Sequence, residues 1–228
     1  MRVETVEVLT VKVPTVHRPG AHGGEPPTIG GSRYLIEPSW RHLYSLEFQT
    51  CFVKLTTDTG LVGWGEAQAP IAAEVTAALV SNVLSHIVLG ENPAETERLF
   101  ARMYHGQNVR GHHTGYYMDA VAAVDTALWD IRGKAAGQPL WLLAGGARQR
   151  VPLYDTEGGW LQLSTDELVE GAQRSVARGW PGVKIKVGKH HASEDVARLR
   201  AVREAVGPEV HLMVDANQSL TWPEAKRR

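Results

Sequence analysis

The sequence predicts an α+β fold: a strand meander packed with helices, followed by a repeating strand–helix–strand segment. Three observations carry this. Period-two alternation marks Arg2 to Val13, Leu46 to Thr56 and Leu61 to Glu66. Helical periodicity takes over from Pro70 to about Ala135. Beyond Val151, short apolar strands alternate with helical segments, the pattern of units joined by right-handed crossovers. The 228 residues are 43% hydrophobic, enough for one sizeable core or two modest ones.

Arg2 to Val13 alternates like a strand and has no uninterrupted apolar run, so it is not a signal peptide. Pro14 to about His42 shows no periodicity and holds Gly20, Gly23, Gly24, Pro26, Pro27, Gly30 and Gly31. A loop this long in a compact domain is usually functional or disordered. His17, Arg18, His22, Arg33 and Tyr34 are its candidate substrate contacts. Thr57-Asp58-Thr59-Gly60 then joins two strands in a hairpin, with Gly60 supplying the positive φ. Phe52 and Trp64 are expected to pack against helices.

Ile71, Val75, Leu79, Val83 and Ile87 mark one face of a helix ending near Gly90. Asn92-Pro93 is expected to open the next helix, with Pro at its first position, running to about Tyr104. Arg98, Arg102, His105, Arg110, His112 and His113 form a loose basic group. It reads as a solvated face, or alternatively as contact with an anionic substrate or a neighbouring subunit. Thr114 or Gly115 precedes the most strongly periodic helix, with Val121, Val124, Leu128, Ile131 and Ala135 on one face and alanines that allow close packing. Gly137 and Pro139 end it. Asp125 and Asp130 on this helix read as structural pairs.

Val151 to Thr156 reads as a short strand, with Glu157-Gly158-Gly159 at its end, where Glu157 could touch a substrate. Thr165 to Arg178 is a helix capped by Ser164 or Thr165. In Gly182-Val-Lys-Ile-Lys-Val-Gly188, Val183, Ile185 and Val187 alternate with Lys184 and Lys186, giving an apolar and a cationic face. A helix from Glu194 to Val206 comes next and Gly207-Pro208 stops it. Val210 to Val214 is a second strand running into Asp215-Ala216-Asn217. This strand–helix–strand unit makes its two strands parallel neighbours, so Lys184, Lys186, Asp215 and Asn217 crowd one rim. His190-His191 lies in the loop between them, with adjacent side chains expected to point apart.

Two lysines on one inward face disfavour each other's ionisation, which makes one of them available as a general base near neutral pH. A neighbouring aspartate offers hard oxygens that suit Mg²⁺. Together they point to proton abstraction beside a carboxylate, with a metal holding the developing charge. The alternative is an exposed edge strand with solvated lysines and a capping aspartate.

The net charge of −1 implies no general attraction to nucleic acid or membrane. Cys51 is the sole cysteine, which excludes an internal disulfide and fits a cytoplasmic protein. No apolar run approaches the ~20 residues of a membrane span. No glycine loop has P-loop or dinucleotide-binding spacing, against a phosphate-binding αβ protein.

Val183-Lys-Ile-Lys-Val-Gly188 together with Met213-Val-Asp-Ala-Asn-Gln218 resembles the enolase superfamily, in its mandelate racemase/muconate lactonizing enzyme branch. Ala120 to Gly146 resembles that family's link between cap and barrel. The resemblance implies an α+β capping domain (1–135), a linker (136–150) and the first three βα units of a truncated (β/α)₈ TIM-type barrel (151–228). It implies Lys186 as the base that removes the α-proton, and Lys184 as a catalytic cation at the substrate carboxylate. It further implies Asp215 as a metal ligand, Asn217 as a substrate-binding residue and Mg²⁺ as cofactor. The long N-terminal loop matches a segment that closes over substrate.

The implied reaction passes through an enediolate on a small carboxylate, a sugar acid, in an acid-sugar dehydratase-like enzyme. A racemase/epimerase or a cycloisomerase is the alternative within the family. A barrel of this type takes roughly 250 residues. The family's remaining carboxylate ligands and second acid/base group lie beyond Arg228, so a fragment is expected, inactive alone, and homo-oligomeric when full length. A non-catalytic fragment or assembly partner is the reading from another class.

Overall fold

A computed structural model describes residues 1–14 and 28–228. In chain order its elements are β1 (Val3–Pro14), β2 (Tyr34–Glu37), β3 (His42–Ser45), β4 (Glu47–Thr57), β5 (Val62–Ala67), α1 (Ala73–Leu79), α2 (Ser85–Val88), α3 (Thr96–Asn108), α4 (Tyr116–Ala136), α5 (Leu140–Leu143), α6 (Thr165–Ala177), β6 (Gly182–Lys186), α7 (Ala192–Val206), β7 (His211–Asp215) and α8 (Trp222–Arg227). The described residues divide into two compact units: 1–14 with 47–149, and 28–46 with 150–228.

In the first unit β1, β4 and β5 form an antiparallel sheet in that order. Cys51, Val53 and Leu55 of β4 point to its buried face. Val53 pairs with Gly65, Leu55 with Gly63 and Cys51 with Ala67, so β5 presents two glycines and an alanine there. A Cβ at Gly63 would lie 2.2 Å from the Ala127 carbonyl oxygen, and one at Gly65 1.9 Å from that of Ala123. The sheet therefore meets α4 backbone to backbone, across the small side chains Ala120, Ala123 and Ala127, all fully buried. Val121, Val124, Leu128 and Ile131 complete the core with Val80, Leu84, Val88, Leu99 and Met103. A π-helical turn, Val80–Leu84, joins α1 to α2.

Several expectations for this unit need correction. Phe52 is only half-buried and Trp64 is 42% exposed, on the sheet face away from the helices, because the glycines hold the buried parity. Asn92-Pro93 does not start a helix. The Asn92 side chain accepts the Ala94 N–H at 3.1 Å, a local turn that competes with helix, and α3 begins at Thr96 and runs past Tyr104 to Asn108. Arg98 and Arg102 of the basic group are ion-paired with Glu91. Asp130 accepts from Lys134 and the Trp64 N–H. Asp125 instead lies half-buried beside Glu97, and burial, then that like charge, pushes its carboxyl up.

In the second unit β6 and β7 are parallel, with Lys184 opposite Met213 and Lys186 opposite Asp215. Val183 and Ile185 are buried with Leu168, Ala172 and Val202 of α6 and α7. Ser164 caps α6 in a reciprocal box with Glu167. The expected strand over residues 151–156 shrinks to a single bridge, Asp155 to Val183. Pro152 has no N–H to give a ladder, and Val151 and Leu153 are 67% and 59% exposed. The segment expected to lack periodicity holds the hairpin of β2 and β3. Tyr34 lies in β2 and the Arg33 carbonyl accepts the Leu46 N–H, whereas His17, Arg18 and His22 lie outside the described residues.

Candidate functional site

Pairing Val183 and Ile185 with the helices turns Lys184 and Lys186 to the opposite face of β6. Lys186 Nζ lies 2.7 Å from Asp215 Oδ2, and Lys184 Nζ reaches the same oxygen at 3.3 Å. Lys186 also donates to Asn217 Oδ1 at 2.5 Å, and the Asn217 N–H donates to Asp215 Oδ1 at 2.8 Å. The four residues singled out from the sequence thus form one connected cluster at the C-terminal ends of two adjacent parallel strands.

The two ammonium groups do not simply confront each other, as the sequence suggested; one carboxylate oxygen stands between them. Burial alone pushes the Asp215 carboxyl up. The Lys186 hydrogen bond, the Asn217 N–H and the nearby positive charges outweigh that and hold it at about 2. Asn217 sits at φ 46° and Gln218 at φ 59°. Asn adopts this left-handed backbone more readily than most residues, and it brings the side chain back over the strand end.

Aromatic rings wall the cluster, and sequence reading missed them. The Tyr154 ring centroid lies 5.4 Å from Lys184 Nζ; those of Trp40 and Trp160 lie 5.9 and 5.6 Å from Lys186 Nζ. Tyr44 neighbours Asn217 and Asp215. Burial first, then Glu37 and Asp215, against the Asn217 hydrogen bond, raises its phenol to about 12. Trp40, Tyr44 and Trp160 belong to no segment whose periodicity stands out, and Tyr154 falls in the strand expected over 151–156 with nothing to mark its ring as part of a site.

Behind the rim, Arg198 of α7 is 5% exposed and donates to the carbonyls of Lys186, Trp160 and Leu161 at 3.2, 3.2 and 3.3 Å. Asp195 accepts the N–H groups of Gly188 and Lys189. A Cβ at Gly159 would lie 1.9 Å from the Lys184 carbonyl oxygen, so that loop can press on β6 only with glycine there.

Other candidates lie outside the cluster. Glu157 is exposed and accepts the Trp160 indole N–H at 3.4 Å. The His190 and His191 rings do not point apart; they meet edge to face at 4.5 Å. Among the described residues no group of three or more His, Cys, Asp or Glu side chains could hold a metal. At the rim, Asp215 and the Asn217 amide oxygen are hard donors of the kind Mg²⁺ takes, and Mg²⁺ commonly binds one or two carboxylates and keeps several waters. They fit as part of a donor set. No helix among the described residues is long and apolar enough to cross a membrane.

Residues 43–145 match the family model described as mandelate racemase/muconate lactonizing enzyme, N-terminal domain, and residues 167–228 match enolase C-terminal domain-like. The chain is 35% identical over 174 residues to an arabinonate dehydratase of Saccharolobus solfataricus, covering 75% of this chain and 46% of the relative. It is 37% identical over 177 residues to a D-galactarolactone cycloisomerase of Agrobacterium fabrum, covering 76% and 45%. The structure of a racemase from Streptomyces coelicolor with bound magnesium superposes with TM-score 0.83 at 28% identity, covering 99% of this chain and 58% of that one. The chain thus spans about half the length of the curated relatives it matches. Its architecture is an α+β capping domain followed by part of a barrel region. With the paired lysines of β6 and the aspartate ending β7, it belongs to the mandelate racemase/muconate lactonizing enzyme family of the enolase superfamily.

Proposed function

We propose that this chain carries the proton-abstracting groups of a Mg²⁺-dependent enzyme that removes the α-proton of a small carboxylic acid, in the manner of an acid-sugar dehydratase. The observation that supports this is the shared Asp215 oxygen between Lys184 and Lys186 at the ends of adjacent parallel strands. Lys186 is the base. It acts as the free amine, its own proton having passed to solvent, and Asp215 and Asn217 are the hydrogen-bond partners that hold its nitrogen at the rim, at 2.7 and 2.5 Å. Lys184 is the less buried of the two and pairs with the substrate carboxylate. Its fixed charge stabilises the resulting enediolate, where an α-proton beside a carboxylate is otherwise very weakly acidic. Asn217 hydrogen-bonds the substrate. Asp215 would hold Mg²⁺ in part, and the bound metal would supply further positive charge at the same carboxylate.

The substrate class is taken from the relatives, which include an arabinonate dehydratase and a galactarolactone cycloisomerase. Dehydration, racemisation and cycloisomerisation share this proton abstraction and differ in the fate of the enediolate. The domain boundaries at 135 and 150, and assembly into a homo-oligomer, belong to the same proposal. A non-catalytic assembly partner is the second reading, and the same test separates the two.

The test is exchange of the α-proton of arabinonate in D₂O with Mg²⁺, monitored by proton NMR. Net turnover is not expected of this chain alone; the half-reaction, exchange by the wild-type chain that is lost in K186A, is the expected result. Bound substrate with no exchange removes the base assignment; no binding at all favours the assembly partner.

A further inference from the structure

Trp40 is 4% exposed at the turn between β2 and β3. The turn that presents it is strongly determined. The Trp40 backbone N–H donates to Glu37 Oε2 at 2.6 Å, and Glu37 is itself 3% exposed. The next residue, Arg41, holds a left-handed φ of 60° and donates its N–H to the Glu37 carbonyl at 2.7 Å. A non-glycine residue in that region carries a conformational cost that the surroundings must offset.

The indole then meets three consecutive residues at the end of β6. Its ring centroid is 5.9 Å from Lys186 Nζ, and the Trp160 ring centroid lies 5.6 Å from the same nitrogen. Its Nε1–H donates to the Val187 carbonyl at 2.9 Å. Its edge lies where a Gly188 Cβ would come within 2.6 Å of Nε1. Tyr44 and His42 tilt against it, with centroids 6.4 and 6.1 Å away. A tryptophan serving only to fill space needs neither the hydrogen bond on the strand end nor the glycine opposite it.

We infer that Trp40 is a positioning residue for Lys186: it holds the ammonium beside two indole faces and anchors the strand end through Val187. This rests on Lys186 being the base, but its test reads position and not turnover. Trace acetylation of the full chain, quantified lysine by lysine by mass spectrometry, reports how far each ammonium is shielded. In W40L, Lys186 labelling rises about tenfold, the order that loss of a desolvated cation–π contact implies. Lys189, in the same unit, and exposed Lys226 keep their wild-type rates.

W40F retains an aromatic face and drops the hydrogen bond, so Lys186 labelling rises less than in W40L; if W40L does not fold, this variant decides alone. Lys186 labelled at the wild-type rate in a folded variant overturns the inference, and so does a parallel rise at Lys186 and Lys189, which marks general loosening. Failure of α-proton exchange with the expected labelling pattern removes the base role and leaves the positioning intact.

Discussion

Lys186 donates to Asp215 straight across the β6–β7 register, at 2.7 Å, with Lys186 7% exposed. Register places the pair: Lys186 is the last residue of β6, Asp215 the last of β7, and parallel pairing sets them opposite each other. The contact joins fold to chemistry, because the carboxylate that balances the buried ammonium is also the rim's hard-oxygen donor.

Asp215 also makes stability depend on acid. Its folded carboxyl is held at about 2, below the ~3.9 of an unfolded aspartate. A depressed folded value contributes stability that is fully present above the unfolded value and lost as pH falls through the folded one. Asp215→Asn should therefore cost about 1–3 kcal/mol at neutral pH, leaving two ammonium groups without their carboxylate. The difference from wild type should shrink between about pH 4 and pH 2. Glu91, held at about 2 by Arg98 and Arg102, and Glu224, held there by Arg227 and Arg228, titrate alike in both proteins, so the difference isolates Asp215. Urea unfolding across that range measures it, and a constant difference would refute the assignment.

Gly65→Ala should be among the most damaging single-methyl changes in the first unit. The new Cβ would sit 1.9 Å from the Ala123 carbonyl oxygen, a backbone atom that moves only if α4 moves. Overpacking of this kind costs about 3 kcal/mol. Gly60→Ala meets no atom within 4 Å, though its φ of +82° adds backbone strain, and so should cost less. Chemical denaturation of the two variants ranks them; equal stabilities would mean that α4 rides looser on β5 than the structure has it.

The rim was legible because alternation and register are properties of the sequence itself. Val183, Ile185 and Val187 declare one face of the strand, so Lys184 and Lys186 must take the other, and an aspartate ending the next parallel strand must arrive beside them. The same periodicity misleads where both faces look plausible. Phe52 and Trp64 were expected inside because large aromatics usually are, yet Gly63 and Gly65 hold the face against α4. The hairpin bearing Trp40 was invisible, since its strands have four residues each and its turn uses the left-handed Arg41 in place of glycine. The strand over 151–156 was overread because Val151, Leu153 and Asp155 alternate well, while Pro152 lacks the N–H a ladder needs.

Arg198→Met tests how the strand end is held from behind. The guanidinium is buried, and three of the carbonyls it serves belong to Lys186 and to the loop of Trp160 and Leu161. Asp195 leans on it at 3.7 Å while bonding the Gly188 and Lys189 N–H groups and Arg228. Burial lowers the Arg198 pKa, so the site already works against the charge, and methionine removes that desolvation cost. Against this, the carbonyls lose their donor, and each buried unsatisfied group costs about 1–3 kcal/mol. The carbonyl losses outnumber the single desolvation gain, so a net loss of about 3 kcal/mol is expected. Arg198→Lys keeps the charge but cannot fork to carbonyls on two segments, and should recover only part of the loss. Denaturant unfolding of both variants checks the order. A methionine variant as stable as wild type would show that β6 and its neighbouring loop hold their positions without the arginine.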